Sequence, residues 1–243
     1  MYRLIAFDLD GTLTQHKMPL EAENKAVLDR LRLSYRLLII GAGRCTRIHR
    51  QLLGYPIDII GNYGMQYGRA DAQGGLTLLY DRQLPCDADS VTSRIEALRR
   101  RFGFTEYKGK STELHPSGCV TFPILGTEAT LSEKLAFDPD RSKRSAIYRE
   151  VCEVFSEYQV FIGGTSSFDM APNPYNKAYA LGRYLEENGL RREDVLYLGD
   201  DGGVGGNDES VKLAGYDFID VQDYRRLGEL LAERGVFQQE ALQ

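Results

Sequence analysis

Leu4-Ile5-Ala6-Phe7-Asp8-Leu9-Asp10-Gly11-Thr12-Leu13-Thr14 joins a short apolar run to a pair of carboxylates, and the chain is best read outward from it. Leu4 to Phe7 has the length and composition of a strand buried on both faces, as in a parallel sheet covered by helices. Two carboxylates two residues apart at its end cannot sit unpaired in an apolar core. A bound divalent cation removes the conflict, and hard oxygen ligands point to magnesium. Ligands of α/β sheets bind beyond the carboxyl ends of the strands, which is where Asp8 and Asp10 fall. With one oxygen on the metal, the other oxygen of Asp8 can attack phosphorus and form an aspartyl-phosphate. Asp10 is placed to protonate the leaving oxygen and then to activate water. Gly11 lets the chain leave the strand sharply. The competing interpretation is an ordinary Asp-Gly β-turn.

The neighbouring sequence predicts the sheet that holds this strand. Glu21 to Arg32 carries Val27, Leu28 and Leu31 at helical spacing, Tyr35 to Ile40 is a second apolar run, and Thr46 to Leu53 suits a short helix before a third strand at Ile57 to Ile60. Such alternation argues for parallel strands with helices on both faces. It lapses after about Asp81. A helix over Asp89 to Phe102, β-leaning residues from Thr112 to Ile124, a helix over Ser142 to Ser156 and strands at Gln159 to Ile162 and Ser167 to Ala171 predict an inserted α+β module. Alternation returns with a helix over Asn176 to Glu187, a strand at Val195 to Leu198 and a helix over Tyr224 to Arg234. The fold class is therefore α/β, with a discontinuous core domain interrupted by a cap.

A second acidic loop, Leu198-Gly199-Asp200-Asp201-Gly202-Gly203-Val204-Gly205-Gly206-Asn207-Asp208, again follows a buried strand. It lacks the D-x-D-x-D-G ligand spacing of an EF-hand. It is also too acidic to cradle phosphate without a metal between them. Asp200 is the expected second magnesium ligand, and Asp208 either reaches the metal through water or anchors the loop. Lys177, opening the preceding helix, would hold Asp8 ionised and offset charge on a transferring phosphoryl group. Alone, it reads as a solvated lysine.

Composition narrows the partners. A net charge of -5 over 243 residues gives no basic stripe, and Arg99-Arg100-Arg101 is too short to neutralise a nucleic-acid backbone. Cys45, Cys86, Cys119 and Cys152 show no C-x-x-C pair and suggest reduced thiols. No apolar stretch approaches bilayer length, so no membrane partner and a cytoplasmic location are expected.

The Asp8 to Thr14 motif, Lys177 and the Gly199 to Asp208 loop, in that order, resemble the haloacid dehalogenase superfamily, which implies a Rossmann-like core. One departure stands at Ala42, where that superfamily usually carries a Ser or Thr that binds the phosphoryl group. The backbone amides of Ala42 and Gly43, or Arg44 or Thr46, are the groups left to substitute. Phe7 to Thr14, Gly61-Asn62-Tyr63-Gly64, Ile162-Gly163-Gly164-Thr165-Ser166-Ser167-Phe168-Asp169 and the Gly-Gly-Asn-Asp end of the acidic loop are further similar to eukaryotic-type phosphomannomutases. That resemblance implies a cap over residues 82–166, a core of 1–81 and 167–243, and a homodimer through the cap. It also implies a sugar phosphate bound by Ser167, Asp169 and Asn207. Those enzymes grip a far phosphate with arginines, whose planar fork matches it. Here His115, Thr127 and Lys134 stand at the corresponding cap positions, Lys134 being the cation left to bind there, and Lys17 stands in the core.

Three functions follow. The first expectation is a magnesium-dependent phosphatase of a small phosphate ester, a sugar phosphate by resemblance, with Asp8, Asp10 and Lys177 catalytic. Its metal would be held by Asp8, the Asp10 carbonyl and Asp200. The second is a phosphomannomutase-like mutase using the same intermediate. The third is a non-catalytic sugar-phosphate binder, which Ala42 keeps open.

Overall fold

A computed structural model of the chain describes residues 2–237. The described residues divide into two compact units, one of residues 2–81, 177–202 and 208–237, the other of residues 82–176 and 203–207.

In the first unit the strands are β1 (Leu4–Phe7), β2 (Arg36–Ile40), β3 (Asp58–Gly61), β4 (Gln66–Ala70), β5 (Leu76–Asp81), and, after the second unit, β10 (Val195–Gly199) and β11 (Asp217–Asp220). They form one seven-stranded sheet in the order β11-β10-β1-β2-β3-β4-β5. Neighbours from β11 to β3 pair in parallel, whereas β3, β4 and β5 are antiparallel. All four residues of β1 are fully buried, and successive side chains serve opposite cores. Ile5 and Phe7 join Ile39, Ile59 and Leu198 beneath α1 (Ala22–Leu31), α2 (Cys45–Gln51) and α8 (Leu227–Glu233). Leu4 and Ala6 join Leu38, Ile40 and Tyr197 beneath α6 (Lys177–Glu187) and α7 (Glu209–Leu213). This is the helix-covered parallel sheet that the alternation predicts.

Register brings the two acidic loops together. Phe7 lies beside Leu198 on one flank and Ile39 on the other. The Asp8 N–H continues the ladder by donating to the Leu198 carbonyl at 2.9 Å. The chain segments after β1, β2 and β10 therefore leave the sheet at the same end.

The second unit contains α3 (Ala88–Phe102), β6 (Glu113–Leu114), β7 (Val120–Pro123), α4 (Leu131–Phe137), α5 (Ser142–Val154), β8 (Tyr158–Phe161) and β9 (Ser167–Pro172). Its antiparallel sheet runs β6-β7-β9-β8. Val120, Phe122, Phe168 and Met170 alternate onto the face covered by Val91 and Ile95 of α3 and Ile147 and Val151 of α5. Helix α3 begins at Asp87, whose carboxylate accepts the Ser90 N–H, and stops at Gly103, whose left-handed backbone carries no Cβ penalty.

The expected return to the first unit at residue 167 falls instead at Lys177. Ser167–Pro172 pairs with both β7 and β8, so it is an inner strand of the second sheet and cannot be detached from it. Residues 203–207 also belong to this unit, where the Ile162 N–H donates to the Gly205 carbonyl. Among the described residues no helix is long and apolar enough to cross a membrane.

Candidate active site

The loop after β1 is closed on itself. The N–H groups of Leu13 and Thr14 both donate to the Leu9 carbonyl, and Gly11 N–H donates to the Thr14 carbonyl. Gly11 has φ +90, and an added Cβ would stand 2.7 Å from the Asp200 carboxyl carbon. Glycine is thus required twice, for the backbone and for the approach of the second acidic loop. The Thr12 hydroxyl donates to Asp200 Oδ1 at 3.2 Å and holds that approach.

Lys177, the first residue of α6, is fully buried beneath these loops. Its Nζ lies 2.8 Å from Asp8 Oδ1 and 2.7 Å from Asp208 Oδ1. Asp208 is fully buried too, and accepts the Tyr197 hydroxyl at 2.6 Å and the Asp201 N–H at 3.1 Å. Gly199 leaves room for this carboxylate, since a Cβ there would meet Asp208 Oδ2 at 2.5 Å. One oxygen from each of Asp8, Asp200 and Asp208 lies within 4.8 Å of the others.

The cluster carries three carboxylates against one ammonium. Burial raises the Asp8 carboxyl well above the ordinary carboxylate range; Lys177 opposes this, and Asp208 and Asp200 add to it. Burial likewise raises Asp200, again against Lys177 and with Asp208. Burial works against the Lys177 ammonium, but Asp208 and Asp8 outweigh it and raise its pKa. An excess of buried negative charge on hard oxygen donors is what a divalent cation relieves, so the residues present fit magnesium.

The Asp10 side chain is not part of this cluster. It accepts the Lys17 N–H and Gln51 Nε2–H, each at 2.7 Å, and meets Arg47 at 3.2 Å. Burial opposes its ionisation, but Gln51, the Lys17 amide and Arg47 together lower its pKa. Gln51 also donates to the Thr14 hydroxyl at 2.8 Å and accepts from Arg47 at 2.9 Å. Neither Arg47 nor Gln51 is among the residues that the motifs single out. Their spacing, one helical turn apart just after Gly41 to Arg44, was the available signal.

Gly43 lies in the loop between β2 and α2, and its carbonyl accepts the Asn62 N–H at 2.9 Å. The Tyr63 N–H reaches the Gly41 carbonyl at 3.3 Å, and Gln66 Oε1 accepts the Cys45 N–H at 2.9 Å. A Cβ on Gly61 would stand 2.6 Å from the Gly43 carbonyl oxygen. Gly61-Asn62-Tyr63-Gly64 thus braces this loop, with Asn62 and Tyr63 held at positive φ. Arg44 is exposed.

The second unit holds the remaining sequence-derived residues. Ser167 donates from its hydroxyl to the Gly163 carbonyl at 3.0 Å. Asp169 accepts the Thr121 hydroxyl at 2.9 Å, and Thr121 lies 3.2 Å from His115 Nε2. A Cβ on Gly163 would meet the Asp169 carboxyl carbon at 2.5 Å, so that glycine makes space for the carboxylate. Lys134 Nζ donates to the Thr127 carbonyl at 3.5 Å. Asn207 lies in the short 203–207 segment of the same unit.

Known proteins agree with this architecture. The structure is similar to a haloacid dehalogenase-like hydrolase from Bacteroides thetaiotaomicron, with a TM-score of 0.55, 20% identity and coverage of 98% of this chain and 100% of that one. It is also similar to the IMP-nucleotidase of Plasmodium falciparum, with a TM-score of 0.66, 13% identity and coverage of 97% of this chain and 68% of that one. At these identities the likeness is one of fold, the fold of haloacid dehalogenase-like hydrolases. The phosphomannomutase of Schizosaccharomyces pombe is 25% identical over 224 residues, covering 86% of this chain and 84% of that one. The family model of eukaryotic phosphomannomutases matches residues 92–221, more than half of the chain, which belongs to that family.

Proposed function

We propose that this enzyme is a magnesium-dependent phosphatase of a sugar phosphate or similar small ester. The observation that carries the reading is the buried Lys177 bridging Asp8 and Asp208 while Asp200 completes a carboxylate cluster. Asp8, Asp200 and the Asp10 carbonyl would hold magnesium, with Asp208 reaching it through water. The ion would supply charge neutralisation at the phosphoryl oxygens.

The chain's own residues supply the rest. An oxygen of Asp8 attacks phosphorus and the ester P–O bond breaks, leaving an aspartyl-phosphate; the departing alkoxide takes a proton from Asp10. Asp10 then accepts a proton from water, the water oxygen attacks phosphorus, and the Asp8–phosphorus bond breaks to release inorganic phosphate. Lys177 keeps Asp8 ionised and Asp208 in place. The contacts of Asp10 with Gln51, Lys17 and Arg47 favour its carboxylate and so suit the water step.

The choice of water over a second sugar hydroxyl rests on the second unit. Glu113, Thr121, Asp169 and Phe161 stand in one row across its sheet, and none of the four strands contains an arginine. Arg144 is committed to Asp138 at 2.8 Å and to the carbonyls of Gly163, Gly164 and Ser167. A face of hydroxyl, carboxylate and imidazole suits sugar hydroxyls, the role we assign to Ser167 and Asp169 with Asn207 and Lys134. A bisphosphate intermediate would need guanidinium forks. Membership of the phosphomannomutase family favours a mutase as the second reading. A cytosolic location and a homodimer through this unit are part of the proposal.

Purified protein with magnesium and a panel of hexose phosphates decides between them. Stoichiometric release of inorganic phosphate without a bisphosphate activator supports hydrolysis. Interconversion of 1- and 6-phosphates, with no net phosphate release, overturns it in favour of the mutase. No turnover of any ester would leave the non-catalytic binder.

A further inference from the structure

We propose that Arg47, in the first turn of α2, is the phosphoryl-binding residue beside the loop after β2, replacing in charge the hydroxyl that Ala42 lacks. The inference rests on the phosphoryl-transfer reading and adds a residue to it.

Three observations carry it. Ala42 offers no hydrogen-bonding side chain and Gly43 offers none at all. The space above Gly43 is filled by Arg47, because a Cβ at that glycine would stand 2.7 Å from the guanidinium carbon. The same position is nearer still to Nε and Nη2, so the Nε–Nη2 edge of the guanidinium faces Gly43, one residue beyond the missing hydroxyl.

Second, Arg47 is not locked to its carboxylate partner. Both terminal nitrogens share the single oxygen Asp10 Oδ2 at 3.2 Å, and Nε–H makes no hydrogen bond among the described residues. A guanidinium bound in earnest to a carboxylate makes two parallel bonds of about 2.7–2.9 Å. The Arg47 side chain keeps 41% exposure, so it can turn donors toward an incoming anion.

Third, the movement gives up one further bond, from Nη1 to Gln51 Oε1 at 2.9 Å, but does not release Asp10. Gln51 Nε2 separately holds Asp10 Oδ1 at 2.7 Å, so Asp10 stays in place when Arg47 shifts. A phosphoryl dianion offers several oxygens to a planar fork, whereas Asp10 here offers one.

The test measures inorganic phosphate binding directly, by calorimetry in the presence of magnesium, for the unaltered protein, Arg47→Ala, Arg47→Lys and the double variant Arg47→Ala/Ala42→Thr. Loss of charge-assisted hydrogen bonds predicts a Kd for phosphate weaker by about tenfold or more in Arg47→Ala. Arg47→Lys should recover only part of it, and Ala42→Thr should restore part of it in the Arg47→Ala background. Restoration by a hydroxyl elsewhere in the loop is not expected of a residue that merely supports α2. An unchanged Kd in Arg47→Ala, with circular dichroism showing a folded protein, overturns the inference. So does weakened binding that Ala42→Thr does not recover at all, since Arg47 would then not stand in for the missing hydroxyl. The phosphoryl-transfer reading is scored separately, by turnover of an aryl phosphate in the unaltered protein beside Asp8→Asn.

Discussion

Replacing Lys177 by methionine removes the single positive charge from a buried cluster while keeping most of the side-chain volume. At 2.8 Å from Asp8, and with an effective dielectric constant of about 20, the lost attraction is about 6 kcal/mol. Relief of the ammonium's own burial penalty offsets part of it, and buried pairs broken on one side lose about 3–5 kcal/mol. Carboxylate oxygens within 4.8 Å of one another repel by about 3.5 kcal/mol or more on the same scale. Asp8 already titrates above its unfolded value, so its contribution to stability is present below about pH 3.9 and fades as pH rises through the folded value. Without Lys177 that value climbs further and more stability is lost on the way up. Urea unfolding in chelator should therefore find Lys177→Met about 3 kcal/mol less stable than the parent at pH 8, and much closer to it at pH 5. Turnover with saturating magnesium should fall by about a hundredfold or more. Equal stability of the two proteins at pH 8, or activity within a few-fold of the parent, refutes the assignment of Lys177 as the charge that keeps Asp8 ionised.

Other outcomes are open to measurement. Gly11→Ala forces a Cβ toward Asp200 at φ +90, and calorimetry should show magnesium affinity lost while the far-ultraviolet circular dichroism is kept. Metal-free protein should lose stability as pH rises above about 4, because Asp8 and Asp200 are both raised; magnesium, which binds the ionised forms, should stabilise more at pH 8 than at pH 5. Differential scanning calorimetry at the two pH values reads this directly. Burial pushes the Cys45 thiol up to about 12 and Cys119 up to about 11, so peptide mapping after native alkylation should find modification at Cys86 and Cys152 first. Gln51→Leu should lower kcat about tenfold with little change in the Kd for magnesium, since Gln51 orients Asp10 rather than the cluster.

Four of the five parallel strands of the first sheet, β1, β2, β3 and β10, were legible because each is a short apolar run followed by a turn signal. Leu4–Phe7 and Val195–Gly199 have no exposed residue, and nothing in them competes with the strand pattern. The hairpin of β4 and β5 was not, since Leu76–Asp81 lies at the sheet edge with Thr77, Leu78 and Leu79 exposed, and so carries no alternation to find. Helix α4 buries none of its residues, and β11 is two aspartates around two partly buried apolar residues. The boundary at residue 167 slipped because a strand's partner is a tertiary fact: Ser167–Pro172 looks the same from the sequence in either sheet. At the site, Asp8, Lys177, Asp200 and Asp208 could be chosen from charge at strand and helix ends, and the structure brings those four together. Arg47 and Gln51 offered only their spacing of one helical turn. Each is an ordinary polar residue on a helix, and its meaning comes from the turn that carries Asp10 back toward α2.

Phosphorylation of Asp8 tests the central claim most directly. Protein mixed with magnesium and a turned-over phosphate ester, quenched in acid within one turnover and digested, should carry one phosphoryl group on the peptide containing Asp8, with none in Asp8→Asn. Rapid turnover with Asp8 unmodified at every quench time, or turnover undiminished in Asp8→Asn, would contradict it.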